Sequence, residues 1–457
     1  HKISFLFINF KKMCLFSQIY SIVKVDKCLR FTWFLHKRFH AIRRTPMLVT
    51  LIPLFDENIK VSAYSLYTQK ANFLLHPNLL GSGSNDGAAQ IEGFELILNM
   101  GLETLSPAKE IFVPVNEISI FSDIPAQCGL PHEFFVLLLK GNIPCTPMYI
   151  DRVKALKKMG YRFAIRKLPV SSYEAYHDLL VLMDYVMLDC EEIDISKARI
   201  YFNKVYPNIR LCASNITKTE TFDAICQDKS CTLYEGSFYR LPVTKGNHDV
   251  APLKINYIEL MNLVNTEDFD LTKAADIIGH DTALVISLLR MVNHMAVNSE
   301  ITSIRHAAAM LGQKELKRWI NTAVVNQLCS DKPNELTRLS LLRAKFGENL
   351  APAFELGGKA SELFLTGLFS VLDIILDKPM EEALSLVKVS RDIEDALIRQ
   401  SGIFAEPLYF IKQYEAGNWS EVSRLMILEN LDTQTVYDAY IAALKWYRDL
   451  FSDTYKK

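Results

Sequence analysis

Histidine followed by aspartate is the first pattern in this sequence that could do chemistry, because both side chains bind divalent metals. The pair occurs at His177-Asp178, His248-Asp249 and His280-Asp281. A metal-dependent phosphohydrolase needs an upstream His, the His-Asp pair and a further Asp that converge on the metal. Only His280-Asp281 falls in the part of the chain with helical periodicity, and no histidine follows His306. We therefore interpret His280 as a loop residue and Asp281 as an N-terminal helix cap.

Two further patterns lack the partners that a site requires. Cys226 and Cys231 are separated by four residues, but no second Cys or His pair stands at the spacing of a zinc site. Gly81-Ser82-Gly83-Ser84 is not followed by the Gly-Lys-Ser/Thr of a phosphate-binding loop, so it predicts a flexible loop. These patterns give no reason to expect a metal ion or another cofactor.

A short helix pair around Gly312 is the pattern that would suit DNA. Residues 304–311 and 315–325 flank the turn as in a helix-turn-helix. The side chains that would meet phosphate are Lys314, Lys317 and Arg318. Against this, the 411 residues from Met47 on carry a net charge of −10, whereas DNA-binding domains usually present a basic surface. The same short turn is expected in any helical bundle, so the sequence argues against a nucleic-acid partner.

The elements that must position these residues change in character near residues 242–252. Before that point, runs rich in β-branched and aromatic residues alternate with helical patterns. The runs lie at residues 111–115, 134–139, 162–165, 185–188 and 209–212. Residues 150–159 predict a helix that ends at Gly160. Alternating strands and helices predict parallel βα units, and about 200 residues of them predict a TIM-like (β/α) barrel with function at the carboxyl ends of its strands.

After residue 252 the apolar period becomes helical. Leu284, Leu288 and Met291 fall on one helix face. Ser303 is placed to cap a helix that runs to Gly312, with a second helix from residue 313. The predicted fold is therefore α/β plus all-α, a barrel followed by an all-helical domain. We place the barrel at residues 47–246 and the helical domain at residues 247–457.

Composition narrows the class of protein. Hydrophobic residues make up 49% of the 457 residues and charged residues 23%, as in a globular protein, which excludes disordered and fibrous classes. Nine scattered cysteines fit a reducing cytosol better than secretion. The longest apolar run, residues 363–376, contains Asp373, so no membrane span is predicted.

Residues 1–46 form a basic N-terminal segment with ten Lys and Arg against Asp26 alone. One interpretation is an arm for membrane or nucleic acid, and another is a targeting segment without a small-residue cleavage site. A third is that translation starts at Met47, so that the segment is not native. The sequence leaves the three open.

Several longer stretches carry a family resemblance. Residues 270–294, 301–319 and 363–384 resemble an HDOD domain, and residues 160–165 (GYRFAI) and 235–242 (EGSFYRLP) resemble an EAL domain, the barrel of cyclic di-GMP phosphodiesterases. The chain therefore resembles a tandem EAL–HDOD bacterial signalling protein over about 400 residues. The resemblance implies the same barrel and helical domain as the periodicity, and cyclic di-GMP as a ligand.

The EAL resemblance also implies a metal site at the strand ends, where carboxylate and amide oxygens hold Mg²⁺ or Mn²⁺. In this sequence most of the corresponding positions carry other residues. The positions that have lost a ligand are Ser65, Leu137, Met187, Ser214 and Thr217. The candidate remnants are Asn116, Asp189 and Glu235, and an Asp pair is replaced by Arg166 and Lys167.

Two positive charges at a metal site would repel the cation, by roughly 4 kcal/mol per unit charge at 4 Å and an effective dielectric near 20. The resemblance therefore implies a degenerate EAL domain without catalytic residues. Arg166 and Lys167 are either solvated or ion-paired cations, or they retain an anionic nucleotide.

Two functions follow. The first is a non-catalytic signalling protein that acts through protein–protein contacts, with an unidentified signalling protein as partner. The second is a receptor or residual phosphodiesterase for cyclic di-GMP. The predicted location is cytoplasmic, and a homodimer is left open because EAL-like barrels often pair.

Overall fold

The structure is a computed structural model that describes residues 47–70, 91, 97, 110–128, 131–244, 252–266, 268–295 and 301–451. The basic N-terminal segment, residues 81–84 and His248-Asp249 lie outside the described residues. Everything described belongs to one compact unit that runs from Met47. None of the described helices is long and apolar enough to cross a membrane.

Eight strands close into a barrel in the order of the sequence. They are β1 (Met47–Phe55), β2 (Val61–Lys70), β3 (Glu110–Pro114), β4 (Phe135–Lys140), β5 (Arg162–Arg166), β6 (Tyr185–Asp189), β7 (Arg210–Ile216) and β8 (Leu233–Gly236). Strands β2 to β8 run parallel to one another. The five predicted strands match β3 to β7 within a few residues, so the barrel is confirmed.

Strand β1 departs from the predicted parallel βα repeat, because it runs antiparallel to both β2 and β8. Its connection to β2 explains the direction. The Asp56 amide donates to the Lys60 carbonyl over 2.9 Å, and the Asp56 carboxylate accepts from the Asn58 and Lys60 amides, which closes a tight turn. So short a turn joins antiparallel strands, whereas a parallel pair needs a long crossover.

Helices follow the strands as predicted and surround the barrel. Those of the barrel region are α1 (Ile124–Cys128), α2 (Pro147–Lys158), α3 (His177–Leu180), α4 (Ile195–Val205) and α5 (Thr219–Gln227). Helix α2 ends just before Gly160, whose φ of +95° is the left-handed conformation that glycine best adopts. The side chains inside the barrel form their own apolar cluster, which includes Leu54, Phe112, Leu138, Tyr185 and Met187.

The chain after residue 251 is helical in every described part. Its helices are α6 (Pro252–Val264), α7 (Leu271–Gly279), α8 (Thr282–Met295), α9 (Ile304–Leu328), α10 (Asn334–Leu350), α11 (Ala360–Phe369), α12 (Leu372–Leu376), α13 (Met380–Ser385), α14 (Arg391–Ile398), α15 (Ala405–Glu415), α16 (Trp419–Leu428) and α17 (Thr433–Phe451). Ser303 caps α9, and Gly312, at φ +71°, breaks it into two segments. Both features confirm the prediction.

The last helices contact the barrel itself. The Val49 amide of β1 donates to the Tyr414 hydroxyl of α15 over 3.3 Å, and Thr50 shares a 3.1 Å hydrogen bond with Tyr440 of α17. Phe346 of α10 is buried in the same apolar core as the barrel strands and their helices. Helices α10, α15 and α17 therefore lie against the β1–β2 ribbon rather than apart from the barrel.

Candidate functional site

A cavity of about 830 Å³ lies at the carboxyl ends of the barrel strands and is bounded on its other side by α10, α15, α16 and α17. Strands β3 to β6 each contribute their last residue to its lining, namely Pro114, Lys140, Arg166 and Asp189. Carboxyl ends of parallel strands meet at one end of a barrel, which is why residues distant in sequence converge there. The sequence predicted this end of the barrel as the site.

Arg166, Glu235 and Tyr67 form the central polar group of the cavity. The Arg166 guanidinium lies 3.4 Å from Glu235 Oε1 and 4.5 Å from the centre of the Tyr67 ring, and it also donates to the Tyr67 hydroxyl. Tyr67 in turn donates to Glu235 Oε1 over 2.7 Å. The Arg166 side chain is 15% exposed and that of Glu235 is 8% exposed. The cation is therefore held inside the cavity rather than solvated.

The protonation states of this group follow from its surroundings. Burial works against the charge of Arg166, but Glu235 and Tyr67 outweigh it and raise the pKa of the guanidinium above its usual value. Burial, with the Glu235 carboxylate, raises the pKa of the Tyr67 phenol far above its usual value. Arg166 thus stays charged and Tyr67 stays protonated at neutral pH, so neither is suited to proton transfer.

Asn116 and Asp189 are brought to the cavity, but Asn116 Oδ1 and Asp189 Oδ1 already accept hydrogen bonds from neighbouring residues. Asn116 Oδ1 accepts from the amides of Ile118 and Ser119 at 2.9 and 2.8 Å, which is an Asx turn. Asp189 Oδ1 accepts from the Glu191 amide at 3.0 Å and from the Asn215 side chain at 3.3 Å. Both side chains shape loops at the cavity rim.

Lys167 and Lys140 are exposed at the same rim. Lys167 has a φ of +55°, a strained conformation for a side chain of this size. Its carbonyl lies so close to Gly141 that a Cβ there would stand 2.2 Å from it, so the loop depends on glycine at that position. Among the described residues neither lysine forms an ion pair.

The positions expected to have lost a ligand are mostly buried or at the cavity wall. Met187, Ser214 and Thr217 line it, and Ser65 is fully buried with a hydroxyl that has no hydrogen-bond partner. Leu137 requires a correction, because it lies in the core between the strands and the outer helices while Leu138 lines the cavity. Adjacent residues of a strand face opposite sides, so Leu138 is the residue of this pair that reaches the cavity.

These residues do not fit a divalent metal. Within the described ranges no three His, Cys, Asp or Glu side chains stand together in a way that could hold an ion. Glu235 is paired with the Arg166 guanidinium, and Asp189 is the other remnant carboxylate at the cavity. Hard cations need several oxygen ligands and no competing cation, and this set provides neither.

Two arginine–glutamate clusters on the helical side of the cavity were not predicted. Glu415 accepts from Arg343 Nε at 2.8 Å and from Arg240 at 2.5 Å, which ties the barrel's last turn to α15 and α10. Burial opposes ionisation of Glu415, but the two arginines outweigh it and hold its pKa below the usual range.

The second cluster joins β2 to α10. Arg338 pairs with Glu335 at 2.5 Å, and the Tyr64 hydroxyl donates to Glu335 Oε2 at 3.0 Å. In the sequence Glu335 and Arg338 are an ordinary i, i+3 pair, which is usually exposed, so no signal distinguished them. Tyr67 had a signal, because it shares a strand face with Ser65.

Two further sequence candidates, Asp281 and Arg318, lie outside the cavity. Asp281 caps α8 by accepting from the Leu284 amide at 2.9 Å, and it also accepts from Tyr257. Arg318 is paired with Glu315 and Glu348, so it does not present a free charge for phosphate.

Comparison with known proteins identifies the helical part. Residues 251–396 match the HDOD domain. The uncharacterised protein YuxH of Bacillus subtilis is 28% identical over 408 residues, which cover 87% of this chain and 97% of that protein. The cyclic di-GMP phosphodiesterase CdgJ of Vibrio cholerae is 26% identical over 360 residues, which cover 78% of this chain and 82% of that protein.

Two solved structures are also similar, each 14% identical with a TM-score of 0.34 over 42% of this chain. One is Klebsiella pneumoniae BlrP1 in a manganese and cyclic di-GMP complex, of which 54% is covered, and the other is the EAL-like domain protein YdiV, of which 89% is covered. Likeness at this level carries no argument about function. The HDOD match and the closed eight-stranded barrel together confirm the resemblance to EAL–HDOD proteins.

Proposed function

We propose that this chain is a non-catalytic regulatory protein, in which the barrel has kept the EAL architecture and lost the metal chemistry, and which acts through contacts with a signalling protein. The proposal keeps the predicted division into a barrel at residues 47–246 and an HDOD domain at residues 247–457. It concerns the described residues and does not depend on residues 1–46.

The observation that carries this proposal is the guanidinium of Arg166 inside the cavity. It lies 3.4 Å from Glu235, in a place where a phosphodiesterase of this type would need a metal ion. A second cation beside it would be repelled by several kcal/mol at the effective dielectric of such a site. The protein's own cation therefore takes the role of counter-charge to Glu235.

The test is incubation of the full chain with cyclic di-GMP and either Mg²⁺ or Mn²⁺, followed by separation of the nucleotides. We expect no linear product at any metal concentration, while CdgJ assayed in parallel serves as the positive control. Cleavage by the wild-type chain that Arg166→Ala increases would show that the barrel retains the metal and is only inhibited by the guanidinium. Cleavage by the wild-type chain would contradict the proposal, whether or not Arg166→Ala increases it.

Exposed apolar side chains on the HDOD domain support the second half of the proposal. Ile277, Ile286 and Met310, on α7, α8 and α9, are between 38% and 48% exposed. Exposed apolar side chains on helices can contact an apolar partner segment, and Ile286 on α8 is the one we propose to test. We expect a defined protein to co-purify with the tagged full chain and to be lost from the Ile286→Asp variant. Equal recovery with wild type and variant would argue against this surface.

A receptor for cyclic di-GMP is the second candidate, and the charge of the cavity favours it. Six cationic side chains line the cavity against four carboxylates, and Lys140 and Lys167 are unpaired among the described residues. We expect such a receptor to bind cyclic di-GMP without Mg²⁺ and to lose affinity in an Arg166→Ala/Lys167→Ala variant. Calorimetric titration of the wild type and the variant tests this expectation. If the wild type gives no binding heat at high micromolar nucleotide, the receptor function is excluded.

A further inference from the structure

The outer face of two helices that follow the HDOD match carries exposed apolar side chains. Tyr409 of α15 is 45% exposed, and Ile427 and Leu428, at the end of α16, are 51% and 61% exposed. Single exposed apolar side chains are normal on a globular protein, so their meaning depends on whether they form one surface. Both helices lie beyond residue 396, where the match ends, so this surface is distinct from that of Ile286.

Helices α15 and α16 form an antiparallel hairpin. The Asn418 side chain donates to Gln413 Oε1 over 2.8 Å at the turn, and the Tyr409 hydroxyl donates to Glu421 Oε1 over 3.2 Å farther along the pair. The inner faces of both helices are buried and hold the hairpin in place through Leu408, Ile411, Tyr414, Val422 and Met426. The outer face is therefore a fixed surface.

The open end of the hairpin brings apolar and acidic side chains together. Glu406, near the start of α15, and Glu429, directly after α16, share a side-chain hydrogen bond. Leu428 stands seven residues after Glu421, which is two helical turns, so it lies on the face of α16 that contacts Tyr409. Tyr409 and Leu428 therefore belong to one surface, which ends at the Glu406–Glu429 pair.

The charges of this surface are unbalanced. Arg424 is paired with Glu421 through two hydrogen bonds of 2.8 and 2.6 Å, whereas neither Glu406 nor Glu429 forms an ion pair with a described residue. Slight burial and the Glu406 carboxylate raise the pKa of Glu429 above its usual value. Two carboxyl groups share a hydrogen bond only when one of them is protonated, and a basic group beside them would take the place of that proton. The missing counter-charge is therefore positive.

We propose that the outer face of the α15–α16 hairpin binds a basic amphipathic helix of a partner protein. The apolar stripe of that helix covers Tyr409, Ile427 and Leu428, and its Lys or Arg side chains pair with Glu406 and Glu429. An acidic or uncharged segment would leave the two carboxylates unpaired at the edge of the contact, so their charge selects the partner. Helix α15 has 11 residues and is about 16 Å long, which matches about three turns of a partner helix. The inference goes beyond the proposed function, since it concerns a different surface and does not depend on whether the barrel is catalytic.

Fluorescence anisotropy of a labelled peptide, titrated with the full chain, tests the proposal. The probe is a peptide of Leu and Lys, about 14 residues long, in which the leucines repeat with the period of an amphipathic helix. We expect it to bind at micromolar concentration and to bind more weakly as salt is added, because salt screens the pairing with exposed carboxylates. A peptide of the same pattern with Glu in place of Lys should not bind.

Two variants separate the apolar contact from the charges. Leu428→Asp should weaken binding of the Leu/Lys peptide at least about tenfold, because it places a charge in the middle of the contact. Glu406→Gln/Glu429→Gln should weaken it about fivefold, as for the loss of two exposed ion pairs. Both variants change exposed side chains, and circular dichroism checks that they fold.

The matched control for Leu428→Asp is Ile200→Asp on α4, the same change of charge at a side chain that is 65% exposed. It should leave the affinity for the Leu/Lys peptide unchanged, as should Ile286→Asp on the HDOD domain. Absence of binding to wild type at about 0.1 mM protein, equal affinity for the Leu/Glu peptide, or full affinity in Leu428→Asp would each overturn the proposal. A loss of affinity in Ile286→Asp as large as in Leu428→Asp would also overturn it, because the peptide would then not be specific to the hairpin.

Discussion

The barrel mouth and the interface between the barrel and helices α10 and α15 both contain a glutamate paired with arginine, and the two pairs are built differently. At the mouth, Glu235 receives one guanidinium at 3.4 Å and one tyrosine hydroxyl. At the interface, Glu415 receives two guanidinium groups, those of Arg343 and Arg240, at side chains that are 6% and 19% exposed.

This difference indicates that the mouth pair belongs to the cavity, whereas the interface cluster has a structural role. The mouth pair leaves one Glu235 oxygen without a hydrogen-bond partner. The interface cluster has both Glu415 oxygens engaged and links the turn after β8 to helices α10 and α15. Loss of a buried charge costs most where its partners are left unpaired, so the two clusters should respond differently to the same substitution.

Glu415→Gln should give the largest effect. It leaves Arg343 and Arg240 buried without a counter-charge, and we expect a loss of about 3–5 kcal/mol in the free energy of unfolding. The measurement is the urea midpoint followed by circular dichroism. Glu421→Gln, which removes a surface partner of Arg424 on the neighbouring helix, is the matched control and should change little. A small effect of Glu415→Gln would mean that the interface cluster does not hold helices α10 and α15 against the barrel.

Glu235→Gln makes the same change at the mouth and should cost less. The amide oxygen can still accept from Tyr67, and one guanidinium rather than two loses its counter-charge, so we expect a loss of about 1–3 kcal/mol by the same urea titration. A loss as large as that of Glu415→Gln would remove the distinction between the two clusters. If the barrel bound a metal through Glu235, the variant would instead lose a metal-dependent stabilisation that the wild type shows, and we expect no such stabilisation with Mg²⁺ or Mn²⁺.

Much of the fold was accessible from the sequence, because local patterns carry it. Strands β3 to β7 showed as β-rich runs, and Gly160 and Ser303 marked helix ends through backbone conformation and capping. The direction of β1 was missed because the turn at residues 56–60 that reverses it lies in a stretch where no strand had been assigned.

The site was only partly accessible, since its parts lie far apart in the chain. Arg166 and Glu235 were both candidates, but nothing in the sequence paired them. Tyr67 was not named, although it shares a strand face with the candidate position Ser65. The clusters of Glu335 and Glu415 depend on α10 and α15 packing against the barrel, and such burial is a property of tertiary structure. One-residue register on a buried strand was also out of reach, as Leu137 and Leu138 show, because both are apolar.

Lys412 offers a pH test of the interface cluster. Burial and the neighbouring Arg343 lower its pKa to about 8 from an ordinary 10.5, against the opposing pull of Glu415 and Asp373. Because the pKa is lower in the folded protein, the unfolded chain binds more protons between those two values, and stability should rise with pH from about 8 to 10.5. Lys412→Met should flatten that rise and add about 1–2 kcal/mol at pH 7. If the urea midpoint of wild type and variant changed with pH by the same amount, Lys412 would not have the lowered pKa.

Tyr67→Phe should have the smallest effect on the free energy of unfolding, and it tests the hydrogen bonds at the barrel mouth. It removes one hydroxyl from the group around Arg166 and keeps the ring under the guanidinium, so we expect a loss of about 0.5–1.5 kcal/mol. Tyr64→Phe is the matched change at the interface, where the hydroxyl donates to Glu335. That carboxylate is 2% exposed, whereas the Glu235 side chain is 8% exposed and borders the cavity, so water can replace the lost donor more easily at the mouth. The urea midpoint should therefore fall further for Tyr64→Phe than for Tyr67→Phe. The reverse order would mean that the hydrogen bonds at the mouth contribute more to stability than those at the interface.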